Sequence, residues 1–242
     1  MNSIIVLAPH PDDEIFALPY INYFRKFNTE ITILFITSSN KRKNEAIKAC
    51  NFLKCKHLFA SDLGYDFKDG YIHLNFLSLK NLIKKHTKKY KTVLSPILEG
   101  GHQDHDTIAL ATLYENYSNK ETKFIYYPTY TSINVSSLYS VMTDNKYCKK
   151  TFCLIKEKYT HVPFKSLYLM FIIYESQRFS WLLLLIPFLI TIFKFKNANY
   201  YQLSFSGKSI KKKINSNISR KPLYSIHKRC SQKEWMKSVS LI

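Results

Sequence analysis

The sequence predicts an α/β protein: a Rossmann-like, doubly wound, mostly parallel sheet followed by a largely helical, basic C-terminal extension. Three observations carry that expectation. Short β-branched apolar runs alternate with stretches at helical spacing through the first half of the chain, the pattern of successive βαβ units. Those runs are almost continuously apolar, as strands buried on both faces are. The chain has 242 residues, 46% hydrophobic and 15% aromatic, which suffices for one substantial domain with a modest appendage and excludes wholesale disorder.

Residues 3–8 read as the first strand and 14–27 as an amphipathic helix. The second strand is 30–37 (EITILFIT), and 41–54 is a helix with Ala46, Ala49, Cys50 and Leu53 at core spacing. A third strand at 57–60, a helix with a basic outer face at 77–89, and a fourth strand at 92–95 follow. A helix at 107–117 and a fifth strand at 123–127 complete the pattern. No internal repeat is visible, and the strand–helix rhythm stops near Pro128. The chain therefore divides into a core (1–127), a continuation of the catalytic domain with an apolar helical segment (128–206), and a basic tail (207–242).

The formal charge of +19 suggests an anionic partner, but only five of the 36 basic residues are arginine. Nucleic-acid readers favour the bidentate arginine fork, and no aromatic–basic stacking pattern or recognition motif is present. A Lys/Asn/Ile/Tyr bias is read first as compositional drift and second as attraction to an anionic membrane surface; nucleic acid is set aside. The N-terminus lacks the basic region and apolar length of a signal peptide. Five irregularly spaced cysteines form neither a disulfide framework nor a paired zinc motif, so reduced thiols in a cytoplasmic protein are expected.

Two short segments carry chemistry. His10-Pro11-Asp12-Asp13 lies just past the first strand, and His102-Gln103-Asp104-His105 follows the fourth after a short loop. In open α/β sheets ligands gather beyond the carboxyl ends of strands, where strand order reverses. If strands one and four are neighbours, the two segments converge there. Alone, each segment is an ordinary capped turn or solvated loop. Together they fit a catalytic zinc, which takes three imidazole or carboxylate ligands and keeps a position open. His10, Asp13 and His105 would be those ligands. Asp12 would act as general base on a water acidified towards about pKa 7. His102, protonated, would face the substrate oxyanion, with Asp104 holding its ring. The other histidines (His57, His73, His86, His161 and His227) lack partners at ligand spacing and read as structural.

These residues resemble a known family. Ala8-Pro9-His10-Pro11-Asp12-Asp13-Glu14 is similar to the (A/P)HPDDE signature of the PIG-L, or LmbE-like, N-acetylglucosaminyl deacetylases. Glu99-Gly100-Gly101-His102-Gln103-Asp104-His105-Asp106 resembles their second signature, and Arg42-Lys43-Asn44-Glu45-Ala46 their R-x-x-E-A helix start. The likeness runs from about Ser3 to Tyr127. It implies the same zinc ligands and base, a substrate-binding role for Arg42 and Asp66, one Zn2+ per chain, and hydrolysis of an N-acetyl group on an amino-sugar-containing substrate. For Arg42 the plain alternative is a surface salt bridge with Glu45, worth little. The chain departs from the family where a Gly-Gly pair commonly follows the first motif. Ile15 to Pro19 stand there instead, which predicts a kinked or differently packed first helix.

Beyond Pro128 the resemblance offers no residue to carry over. Residues 181–193 (WLLLLIPFLITIF) are 13 positions without charge, too few for a span of about 20. A helix extended back to Leu167 would bury Glu175 and Arg178 in the bilayer, a costly arrangement. A buried or partner-facing helix and an interfacial membrane helix both stand; the latter suits Lys194, Lys196 and the basic tail, as anionic headgroups attract such lysines. The tail itself, 207–237, holds ten basic residues and one acid, with Tyr224 and Trp235 as candidate anchors. Expected partners are an amino-sugar or glycoconjugate substrate and, peripherally, an anionic membrane. The competing readings are a membrane-associated scaffold without activity, and a deacetylase acting on a non-sugar amide.

Overall fold

The computed structural model describes residues 3–129, 152–194, 197–203 and 230–240. Their frame is one sheet. Strands β1 (Ser3–Ala8), β2 (Glu30–Phe35), β3 (Lys56–Phe59), β4 (Thr92–Pro96) and β5 (Lys123–Tyr127) run parallel. The sheet order is β3-β2-β1-β4-β5, extended by two further strands, β7 (Asn197–Leu203) and then β6 (Phe152–Thr160). β7 is antiparallel to both its neighbours. β1 and β4 are adjacent and parallel, with Ile4 opposite Thr92 and Val6 opposite Leu94. The chain winds outward to β3 and returns to β4, so the switch point lies between β1 and β4, as the sequence reading required.

Strands β1, β2, β4 and β5 bury both faces. Along β1, Ile4, Val6 and Ala8 face one core and Ile5 and Leu7 the other, the two-residue period of a pleated strand. The first core is covered by α1 (Glu14–Arg25), α2 (Asn40–Leu53), α5 (Pro163–Tyr168), a π turn (Leu169–Ile173) and α6 (Arg178–Lys194). The second is covered by α3 (Phe76–Thr87), α4 (Gln103–Ser118) and the last helix, α7 (Gln232–Ser240). α1 is continuous through Pro19, with Glu14 to Ile21 buried.

Two expectations about elements are adjusted. The helix expected at 107–117 starts at Gln103, so the second motif forms its first turn. His102 caps it by accepting the Asp104 N–H, and Asp104 and Asp106 sit where the helix dipole favours negative charge. After Pro128 the chain contributes β6 and β7 as well as helices. Trp235 does anchor the tail: it is fully buried and its indole N–H donates to Thr107 Oγ1 at 2.9 Å. Tyr224 and His227 lie outside the described residues, as does most of the basic tail. Among the described residues Cys50, Cys55 and Cys230 are free and buried.

Candidate metal centre and active site

The turn after β1 is tight enough to bring four consecutive functional groups together. The Asp13 N–H donates to the His10 carbonyl at 3.2 Å, and the Asp12 carbonyl already accepts from Ile15 in the first turn of α1. Asp12 stands at φ 103°, a left-handed conformation that costs a non-glycine residue about 1–3 kcal/mol. Glu14 supports that strain: its Oε2 accepts the Asp12 N–H at 3.1 Å, while Oε1 accepts from the Tyr174 hydroxyl at 2.6 Å. Burial pushes the Glu14 carboxyl up to about 7.

Asp13 is the hub. Its Oδ2 accepts the His10 backbone N–H at 2.9 Å and lies 2.9 Å from His10 Nδ1 and 3.2 Å from His105 Nε2. Although burial opposes it, the charges of His105 and His10 hold the Asp13 carboxyl well below the usual range. On its other side His10 Nε2 meets Asp104 Oδ2 at 3.0 Å and Asp69 Oδ1 at 3.2 Å. Burial would lower the pKa of His10, but Asp13 together with Asp104 and Asp69 raises it well above 6.5.

The arrangement of protons follows from the partners. Thr129 gives its hydroxyl proton to Glu99 Oε1 at 2.7 Å, so it accepts from His105 Nδ1 at 3.0 Å. That tautomer turns the Nε2 lone pair of a neutral His105 towards the Asp13 carboxylate, an arrangement stable only with a cation or proton between them. His10, Asp13 and His105 thus form a compact set of two imidazoles and one carboxylate, their ligand atoms within 4.8 Å of one another, the donor chemistry of a catalytic zinc site. A second set, His10, Asp69, His102 and Asp104, shares His10.

The other motif residues are brought to the same place with some changes of partner. His102 Nδ1 accepts the Asp104 N–H at 3.2 Å, which assigns the proton of a neutral ring to Nε2. Burial and the neighbouring His10 charge push its pKa down to about 3, which favours the neutral ring over the protonated one. The Asp104 carboxylate serves His10 and the backbone N–H groups of Gly70 and Ile72 (2.6 and 3.1 Å), in place of the expected His102 ring. Gln103 donates its side-chain amide to the Gly70 carbonyl at 3.0 Å. Both contacts pin the loop that carries Asp69.

Arg42 is not paired with Glu45. Its Nη2 holds the Pro11 carbonyl at 2.6 Å and Asp12 Oδ1 at 2.7 Å, and its Nη1 holds Asp69 Oδ2 at 3.1 Å. Glu45 instead accepts from Ser176 N–H at 2.9 Å and from its hydroxyl at 2.5 Å. Asp66 is exposed, and among the described contacts none joins it to the cluster; Asp69 is the acid that reaches the site. Asp69 lies after the 3-10 turn (Ala60–Leu63) and just before Gly70 (φ 83°); half-exposed, it still reaches His10 and Arg42. Asp12 has a second partner that the motifs do not hint at. Trp181, on α6, donates its indole N–H to Asp12 Oδ2 at 3.1 Å. Burial, then the Asp13 charge, raise Asp12 to about 8, with Arg42 pulling the other way.

Fold and site together define an α/β protein with a His/Asp cluster at the switch point of its sheet. Residues 5–114 match the family described as PIG-L, GlcNAc-PI de-N-acetylase, which bears out the resemblance seen in the two motifs for this region of the chain. No curated protein matches the sequence. Among solved structures, the conserved protein TT1542 from Thermus thermophilus has a TM-score of 0.55 at 15% identity, over 87% of this chain and 98% of that one. The zinc-inhibited form of teicoplanin deacetylase Orf2 has a TM-score of 0.50 at 11% identity, over 68% and 79%. At these identities the two show a shared fold.

Proposed function

We propose that this protein is a zinc-dependent N-deacetylase that hydrolyses the N-acetyl group of an amino-sugar-containing substrate and releases acetate. The observation that carries the reading is the Asp13 carboxylate set between His10 and His105, groups from two separate segments that meet at the sheet's switch point. The PIG-L match over the same residues supports the reaction class.

His10 Nδ1, Asp13 and His105 Nε2 would hold the metal. When bound, zinc supplies Lewis acidity to a water and to the amide carbonyl. Asp104 and Asp69 keep the proton of His10 on Nε2, so Nδ1 presents its lone pair, and the Thr129–Glu99 pair does the same for His105. Asp12 takes the proton from the attacking water and returns it to the departing amine. Arg42 and Trp181 fix its two oxygens, and its strained backbone aims it. Neutral His102 donates from Nε2–H to the carbonyl oxygen as charge builds there.

The test is zinc content together with acetate release across a panel of N-acetylated amino sugars, free, nucleotide-linked and lipid-linked, with added zinc and with chelator. One bound zinc and chelator-sensitive acetate release are expected. A zinc-loaded protein that releases no acetate from any member would overturn the reading.

A further inference from the structure

The helices over the first core carry an outer surface rich in exposed apolar side chains. On α5 and the π turn, Phe164, Tyr168 and Ile172 recur every four residues and are 87, 43 and 53% exposed. On α6, Phe179, Leu182 and Ile186 follow at helical spacing, 74, 58 and 69% exposed. Trp181 and Phe188 occupy the inner side of the same helix, so α6 is apolar inward and outward alike. Single exposed apolar residues are ordinary, whereas two stripes on adjoining helices mark an interaction surface. The only acid between Phe164 and Ile186 is Glu175, and it is paired with Arg178 at 3.4 Å.

Beside these stripes is a cleft of about 200 Å³ between α1, the end of α2 and α5. Lys54, Lys165 and Arg25 line it with Asn22 and three leucine or isoleucine side chains, and no acid does. Arg25 is held by the carbonyls of Leu53 and Lys54, and Lys165 Nζ touches Asn22 Oδ1 at 3.3 Å. Phe52 forms the remaining wall and packs against Tyr168, the rings tilted with centroids 4.7 Å apart, which joins the cleft to the apolar stripe of α5.

We propose that this surface seats the protein on an anionic phospholipid bilayer. Phe164, Phe179 and their neighbours would enter the headgroup–acyl boundary while Lys54 and Lys165 meet lipid phosphate. Aromatic and aliphatic side chains flanked by lysines are the composition of an interfacial helix, and the lysine stems allow the ammonium groups to stay at headgroup level. The charge is complementary: cations line the cleft, acids do not, and the chain as a whole carries +19. No helix among the described residues is long and apolar enough to cross a membrane, so the attachment is to one leaflet. The inference is independent of the reaction proposed above.

Flotation of the full chain with phosphatidylcholine vesicles, with and without phosphatidylglycerol, tests it. The wild type should partition onto the anionic vesicles about tenfold better than onto neutral ones, less so at high salt. F164E/F179E and K54E/K165E should each lower that partition about tenfold. K84E/K85E, an equal charge change on exposed α3 positions of the opposite layer, should stay within about twofold of wild type. The idea is overturned by absence of flotation, by partition that neither surface pair changes, or by an equal loss in K84E/K85E, which would make it bulk charge. A wild-type dimer that F164E/F179E dissociates, without vesicle binding, would assign the surface to a second copy instead. Should F164E/F179E fail to fold by circular dichroism, F164S/F179S serves the same comparison.

Discussion

The two halves of the molecule contribute to one site in different ways. The sheet up to β5 supplies every proposed ligand and the proposed base, all on two short segments that follow β1 and β4. The segments after β6 supply none of these, yet they hold the proposed base Asp12 and two acids near it. Tyr174 reaches back 160 positions to Glu14, Trp181 reaches 169 to Asp12, and Ser176 reaches 131 to Glu45. Reactive groups are local in sequence because one turn must aim several of them at one point. Groups that orient them need only meet them in space, and the second half of the chain is free to provide them.

The sharpest way to break this division is at the hub. Asp13→Ala or His105→Ala should release zinc and abolish acetate release, a loss of about 10⁴-fold or more, since Lewis acidity and the acidified water go together. Metal analysis of the purified variant checks the first half and single-turnover assays the second. A variant that keeps stoichiometric zinc would move the metal to the neighbouring His10, Asp69, His102 and Asp104 set. Asp12→Asn is next in size, with turnover down about 10²–10⁴-fold and zinc retained, as for a general base that is not a ligand. Loss of the metal in Asp12→Asn would make it a ligand.

Smaller effects probe the support. Asp104→Asn removes a carboxylate from the outer nitrogen of His10 and should weaken zinc about 10–100-fold, read by competition with a chromophoric chelator. Turnover at saturating zinc should fall much less, which separates Asp104 from Asp12. Trp181→Phe keeps the ring that packs 5.7 Å from Phe16 but removes the N–H on Asp12. A hydrogen bond to a charged group is worth about 1.5–3 kcal/mol, so kcat should drop about 10–100-fold with KM nearly unchanged. An equal rise in KM would place Trp181 at the substrate rather than at the base.

What the sequence discloses follows the same division. The five parallel strands and the helices between them are legible because β1, β2, β4 and β5 are continuous buried apolar runs and the helices between them show their period. Strand pairing at the switch point then brings His10, Asp13, His102 and His105 together. The sequence singles out Arg42 as a candidate but not its partners, since a cation with several acids within reach has no pattern to show which it meets. Asp69, not the expected Asp66, stands beside His10 and Arg42, and no periodicity in that loop tells the two acids apart. Trp181 was hidden for a different reason: within an apolar run an indole reads as bulk hydrophobe, and its one polar atom is invisible to any hydrophobicity argument. β6 and β7 escaped because they join the sheet antiparallel at its edge, outside the βαβ rhythm that revealed the others.

The mildest prediction tests whether the second half acts on the site or only on stability. Tyr174 is fully buried and its hydroxyl donates to Glu14, whose other oxygen holds the strained Asp12 backbone. Burial also pushes the Tyr174 hydroxyl well above its ordinary pKa, so it remains a donor throughout the working range. Tyr174→Phe preserves the packed ring and leaves Glu14 Oε1 without that donor, a cost of about 1–3 kcal/mol measured by chemical denaturation. Glu14 still accepts from the Asp12 N–H, so the turn should hold its shape and kcat should stay within about threefold. If kcat instead falls as far as in Trp181→Phe, the Tyr174–Glu14–Asp12 chain positions the base. The second half of the molecule would then act on the chemistry through two contacts rather than one.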